Sequence, residues 1–294
     1  MKLRSLPILL LPLLLTGCGS DSLADRIYAQ ALGLSVDSGL HLTLQSSEDE
    51  SVRTVRADTL ADALRLEAAQ AGGMVFIGHT ELICLDRSVT PDTIRELFYG
   101  NGISPGCKLL YTPSDYLKTH DSTPLVHTLR LAEQDGLLTK TDLSTALEEW
   151  LGAYETALLP VPDKPLPGLM LMRSDGTCIR LTDSAARGML LLRQPAGKTS
   201  VTVGSAQIRL RSIRLHKAWQ GDTAVYSLTI SAPDCDPDTR GRLRNQLTAD
   251  CQAAANAAVS ANADVIGLQT LLEANGIPLP ETLPSVTISV TVTP

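Results

Sequence analysis

Aromatic side chains are scarce in this chain. Phe, Trp and Tyr together make 3% of 294 residues, with only two Phe and two Trp. Carbohydrate platforms and aromatic cages need flat ring faces, so this shortage argues against both. Basic charge is short as well: 25 Lys and Arg stand against 32 Asp and Glu, a formal net charge of −7. Phosphate recognition needs clustered cations, so no nucleic acid is expected as a partner. The six cysteines contain no C-x-x-C pair, which removes the usual zinc and redox spacings. A nucleophile elbow, a P-loop, a dinucleotide Gly fingerprint, H-E-x-x-H and an EF-hand loop are all missing. The expectation is a non-catalytic protein without metal or cofactor. No apolar run reaches the roughly 20 residues that cross a bilayer as a helix.

What is present begins at the N-terminus. Lys2 and Arg4 precede an apolar stretch from Leu6 to Leu15, which has the form of a secretory signal and is too short for a membrane span. It ends in Leu15-Thr16-Gly17-Cys18. Small residues before the cut fit a signal peptidase, and the cysteine after it supplies a thiol for acylation. The Leu-x-Gly-Cys order resembles the lipobox of bacterial lipoproteins. Residues 1–17 are expected to be removed, leaving a diacylglyceryl group on Cys18. One acyl chain anchors marginally and two anchor stably. Loss of Lys2 and Arg4 takes the formal charge to about −9, so anionic lipid offers no attraction. Five cysteines remain: Cys84, Cys107, Cys178, Cys235 and Cys251. Buried free thiols are the favoured reading. A single disulfide, Cys235–Cys251 or Cys84–Cys107, stays open as the alternative outside the cytosol.

Periodicity gives the elements. Asp25 to Ala31 reads as helix, and Leu32 to Val36 with Leu40 to Gln45 as a strand pair around Asp37-Ser38-Gly39. Asp58 is placed to cap a helix over Thr59 to Ala71, stopped by Gly72-Gly73. Met74 to Ile77 reads as a buried strand. Pro91 opens a further helix, Lys108 to Tyr111 is strand-like, and Pro124 to Gln134 and Asp142 to Glu155 are amphipathic. Four prolines between Pro160 and Pro167 mark a linker. Beyond it come strand patterns up to Ser231. Among them Arg209, Arg211 and Arg214 alternate with apolar residues and slip near Ser212, as the wet face of a sheet with a bulge would. Asp236 caps a long helix that runs toward Gly276, with a break expected at Asn262 to Asp264. Val286 to Val292 alternates as a final half-exposed strand. The fold class is α+β: a multidomain lipoprotein with mixed or antiparallel sheets and a long C-terminal helix followed by an edge strand. The expected division is a signal peptide 1–17, an α+β domain 18–159, a linker 160–167 and an α+β domain 168–294.

Chemistry-bearing residues are few. His79, after Gly78 at a strand end, has the side chain of a general base that Glu81 or Asp86 could orient. A turn histidine bonded to backbone is the competing and favoured reading. Asp234-Cys235-Asp236 lacks the spaced ligands of a calcium loop and reads as a helix cap.

Five stretches, in order, carry a family resemblance. They are Leu15-Thr16-Gly17-Cys18 followed by Asp25-Arg26; Ala31-Leu32-Gly33-Leu34-Ser35-Val36-Asp37; Phe76-Ile77-Gly78-His79; Leu181-Thr182 with Arg187-Gly188-Met189-Leu190; and Ala263-Asp264-Val265-Ile266-Gly267-Leu268 with the closing strand. In this order the chain resembles the C-subunit lipoproteins of bacterial spore germinant receptors, the GerAC-like or Ger(x)C family. The family's tryptophan soon after the lipid cysteine is absent, with Gly19 and Ser20 there instead. The resemblance implies a non-catalytic subunit needed for nutrient-triggered spore germination. It would sit on the outer face of the cytoplasmic (inner spore) membrane through Cys18, with polytopic A-type and transporter-like B-type subunits as partners. Asp25, Arg26, Gly33, Asp37, Gly78, His79, Arg187, Gly188, Asp264 and Gly267 carry over as motif positions with structural roles. The alternative function is a substrate-binding lipoprotein of an uptake system, which needs two lobes around a cleft. A hydrolase using His79 is a third reading.

Overall fold

The computed structural model describes residues 26–47, 51–163, 167–193 and 199–294. The expected signal peptide, Cys18 and Asp25 lie outside the described residues. A six-stranded mixed sheet organises the first half, in the order β3-β2-β1-β5-β6 with β4 attached to β1. Its strands are β1 (Arg26–Val36), β2 (Leu40–Ser46), β3 (Val52–Ala57), β4 (Met74–Phe76), β5 (Leu82–Leu85) and β6 (Lys108–Tyr111). The helix expected up to Ala31 is strand from Arg26 onward. β1 pairs antiparallel with β2 and parallel with β4 and β5, so ladder bonds on both edges outweigh the helix preference of its alanines.

Strand alternation splits the core between the two faces of this sheet. Leu32, Leu34, Ile83 and Leu85 point to one face, toward helices α1 (Leu60–Ala71), α2 (Pro91–Arg95) and α4 (Leu143–Trp150). Ala31, Leu82 and Cys84 point to the other, toward α3 (Ser122–Gln134) and a 3₁₀ turn at Ser114–Lys118. Each fully buried leucine contributes about 1.5–3 kcal/mol. Thr59, not Asp58, caps α1: its hydroxyl oxygen accepts from the Asp62 N–H at 3.1 Å. Asp121 and Asp142 cap α3 and α4. Gly33 has a packing reason. A Cβ there would stand 2.2 Å from the Ser114 carbonyl oxygen, so glycine lets the 3₁₀ turn lie directly on β1. The strand expected to be buried at Met74 is short, and Met74 itself is 51% exposed.

The expected linker is flanked by paired strands, and its residues 164–166 lie outside the described residues. Strands β7 (Thr156–Val161), β8 (Gly168–Arg173) and β9 (Cys178–Arg180) form an antiparallel sheet in that order. Pro160 pairs with Leu169 and Val161 with Gly168, so the first proline of the segment is part of a strand ladder. Proline fits because β7 is an edge strand, where a missing N–H costs no ladder bond. The sheet is tied to what precedes it. The Trp150 indole N–H donates to the Met172 carbonyl at 2.9 Å. One hydrophobic cluster also runs from Ala31 through Leu158 and Leu171 to Val290, across the expected boundary.

The remaining elements are α5 (Asp183–Arg193), the hairpin β10 (Thr199–Val203) and β11 (Ala206–Leu210), β12 (Ser212–Gln220), β13 (Thr223–Ser231), α6 (Pro237–Ser260), α7 (Leu268–Ala274) and β14 (Val286–Thr293). The alternation slip near Ser212 marks where the chain leaves the two-stranded hairpin and enters the sheet β12-β13-β14. Arg209, Arg211 and Arg214 are exposed, as a wet face requires. The long helix breaks where expected: α6 ends at Ser260, and Asn262 takes a φ of +50°. β14 is an edge strand parallel to β13. Its outer edge is occupied in part by the Gln252 side chain, which donates to the Val286 carbonyl at 2.9 Å and accepts from the Ile288 N–H at 3.2 Å. That amide takes the place of a neighbouring strand and blunts the edge against pairing with other chains.

The five later cysteines are free. Cys84 and Cys107 belong to hydrophobic clusters on opposite faces of the first sheet. Cys251 lies about 20 Å along α6 from its start, so Cys235, before that helix, is out of reach of a bond that needs Cα atoms within about 7 Å. Burial pushes the Cys84 and Cys251 thiols up to about 12. Alkylation of the native protein near pH 8 is therefore expected to modify the half-buried Cys178 and to spare Cys84, Cys107, Cys235 and Cys251 until denaturant is added. Peptide mass spectrometry reads the outcome; early labelling of Cys84 would contradict the packing.

Candidate functional site

The motif residues fall into three places. At the start of β1, the Arg26 guanidinium lies 5.8 Å from the centre of the Phe76 ring. Tyr28 meets the same ring edge-on at 5.6 Å, and His79 packs against it at 5.2 Å. Gly78 and His79 form the turn in which the Thr80 N–H donates to the Ile77 carbonyl at 3.0 Å. A Cβ on Gly78 would press to 2.9 Å from the Phe76 ring, so glycine admits the aromatic. The orienting partners suggested for His79 are engaged elsewhere. Glu81 accepts from Arg130 at 2.8 Å, and Asp86 accepts from the Ser88 N–H at 2.8 Å. Asp37 sits in the β1–β2 turn, where Arg56 donates to its carbonyl at 3.2 Å.

The second place is the crossing of α5 and α6. Gly188 faces the α6 backbone so closely that a Cβ would stand 2.0 Å from the Asp250 carbonyl oxygen. Beside it, Arg187 donates two hydrogen bonds to the Asp250 carboxylate, each at 3.0 Å, and the Ser184 hydroxyl donates a further one. Asp250 is only 3% exposed, so its charge is held by these donors rather than by water. Arg187 and Gly188 thus act on one residue, through its side chain and its backbone. Asp250 itself escaped the sequence reading. The signal was a carboxylate falling inside the apolar stripe Leu243, Leu247, Cys251, Ala254.

The third place is a cleft of about 450 Å³ between α4, the end of α5, β12 and the loop before α7. Asp264 accepts from the Leu268 and Gln269 N–H groups, at 2.5 and 2.8 Å, and so starts α7. Gly267 turns the chain there with a φ of +75°, and a Cβ on it would meet the Lys217 ammonium at 2.8 Å. Lys217 is on the inward face of β12. It donates to the Ile266 carbonyl at 2.6 Å and lies 5.1 Å from the Tyr226 ring centre. Burial lowers its pKa, with Asp264 opposing the shift. Arg193 forms an ion pair with Glu149 and donates to the Val265 carbonyl at 3.1 Å. Both side chains of that pair are nearly buried, 11% and 13% exposed. A smaller cleft of about 290 Å³ adjoins it through Tyr154, whose hydroxyl donates to the Pro280 carbonyl at 3.0 Å.

The chemistry of the large cleft is that of a joint. The Glu149–Arg193 pair ties α4 to the end of α5, Arg193 and Lys217 both bond carbonyls of the loop before α7, and Asp264 holds the start of α7 itself. Among the described residues, no group of three or more His, Cys, Asp or Glu could hold a metal ion, and no helix is long and apolar enough to cross a membrane. Sequence reasoning found Asp264 and Gly267 but missed Glu149, Arg193 and Lys217. β12 runs on to Gln220, beyond the stretch in which arginines alternate with apolar residues, and the inward position of Lys217 follows from that extension.

The fold and these three places define an α+β protein whose motif residues build turns, a helix crossing and a charged joint. No protein-family model matches the chain, and no curated protein matches it. Among solved structures it is similar to a crystal structure of the GerBC protein, with 11% sequence identity and a TM-score of 0.47 over 90% of this chain and 98% of that one.

Proposed function

We propose that this chain is a non-catalytic, lipid-anchored subunit of a nutrient germinant receptor, acting by contact with membrane-embedded A-type and B-type partners. Its place would be the outer face of the cytoplasmic (inner spore) membrane, held by diacylglyceryl Cys18. The observation that supports this reading is the duty of the motif positions. Gly33, Gly188, Asp264 and Gly267 each sit where the fold tolerates no ordinary substitute or where a helix must start. A motif set that specifies an architecture, together with the ordered resemblance in sequence, fits a scaffold that presents surfaces to partners. An uptake-type binding protein would need the joint cleft free for a solute, but its charged groups are engaged by the chain itself.

Cys18→Ala, in a source strain with no second copy of the gene, is expected to release the protein from membranes and abolish germination on nutrients. Membrane fractionation and loss of spore refractility read the two effects. Unchanged nutrient germination, in this variant and in a full deletion, overturns the proposal.

A further inference from the structure

We infer that the β1–β4 end of the protein rests on the lipid surface that carries its anchor. The inference builds on the lipidation reading above. In the parallel β1–β4 ladder, Arg26 pairs with Met74 and Tyr28 with Phe76, which sets four side chains together on one face. Met74 is 51% exposed, the two rings are half-buried, and exposed His79 packs on Phe76. One of only two phenylalanines in the chain is thus spent on a face that solvent reaches. A phenol, a phenyl ring, a thioether and a guanidinium set over a ring suit the boundary between headgroups and acyl chains.

Chain length selects the occupant. Seven residues separate Cys18 from Arg26, and a chain of that length spans at most about 28 Å. Every conformation of the tether therefore keeps this face near the bilayer that holds the acyl chains. The protein is acidic overall, so charge does not draw it there. Contact through rings and Met74 is accordingly expected to persist at high salt.

The test uses the full lipidated chain in vesicles of phosphatidylethanolamine and phosphatidylglycerol. An environment-sensitive fluorophore is placed at Met74→Cys, in a Cys178→Ser background, and at Leu131→Cys on α3 as a solvent-facing control. Shared denaturation midpoints verify that both variants fold. At position 74 the emission shifts to the blue, and lipids brominated near the headgroup quench it about twofold or more, at low and high salt alike. At position 131 neither change occurs. If mass spectrometry finds Cys18 acylated while the probe at 74 keeps its aqueous emission, the inference fails and the anchor stands. An unacylated Cys18 removes both. Protection of position 74 only when a membrane protein partner is added also overturns the inference.

Discussion

Gly188→Ala is expected to destabilise the protein by about 3 kcal/mol or more, although alanine is the better helix former. Glycine inside α5 costs about 1 kcal/mol relative to alanine, so propensity alone predicts a gain. Contact geometry decides the sign. The new Cβ would stand 2.0 Å from the Asp250 carbonyl oxygen and 2.7 Å from the Cys251 nitrogen. Those atoms are backbone in the middle of α6, so no side chain can swing aside, and the two helices must separate. Separation also pulls Arg187 and Ser184 from the Asp250 carboxylate, which is then left buried without its donors. Gly241→Ala is the matched control. It lies in the same long helix, nothing stands within 4 Å of its added Cβ, and it is expected to stabilise by about 0.5–1 kcal/mol. Urea titrations should show opposite shifts in midpoint at a constant slope. Equal shifts would mean that the crossing has slack that the distances deny.

Arg193→Ala is expected to cost about 3 kcal/mol at neutral pH, because it strands a carboxylate in the joint. Glu149 keeps the Leu158 N–H as a donor at 2.8 Å but loses its cation. Burial already holds the Glu149 carboxyl above the ordinary glutamate range, and Arg193 is the main group opposing that shift. Removing it raises the carboxyl further. A group that binds its proton more tightly folded than unfolded makes stability fall as pH rises, from the ordinary glutamate value up through the raised one. Above that window the loss is complete. The variant should therefore lie nearest to wild type at the acid end, near the ordinary glutamate value, and its deficit should grow as pH rises from there. Adding Glu149→Gln should remove the pH dependence and recover most of the loss. A deficit independent of pH would show that packing, not charge, is what Arg193 supplies.

The sequence made local features legible wherever side-chain chemistry acts within a few residues. Pro91, Asp142 and Asp236 sit where a helix must start, and Asn262 where one must stop, whereas the pattern starts α3 at Pro124 and passes over its cap, Asp121. The β12-β13-β14 block could be read because its alternation is strict. Legibility failed where long-range pairing overrides local preference. Arg26 to Ala31 looks helical to its neighbours in sequence, yet it is the strand between β2 and β5. The prolines near 160 signal a linker and give no sign of the ladder that Pro160 joins in the edge strand β7. The motif residues could be named but not explained, since Gly188 has no local reason to be glycine; the reason, Asp250, lies 62 residues away. The joint stayed hidden because Glu149, Arg193 and Lys217 come from three separate segments, and only folding brings them to one cleft.

The position of β1 has a mechanical consequence. Tension applied through the residues that precede Arg26 enters the protein at the first residue of a strand that is hydrogen-bonded along both edges. Pulled along its length, β1 cannot be peeled away one bond at a time, as an edge strand can. The ladders to β2 and β5 share the load in shear, and the leucines on its faces resist the same sliding. A body loaded at that point transmits force into a strand held by ladders on both edges. It should therefore withstand displacement of a surface to which its N-terminal segment is fixed, where a terminal hairpin at the same place would unzip.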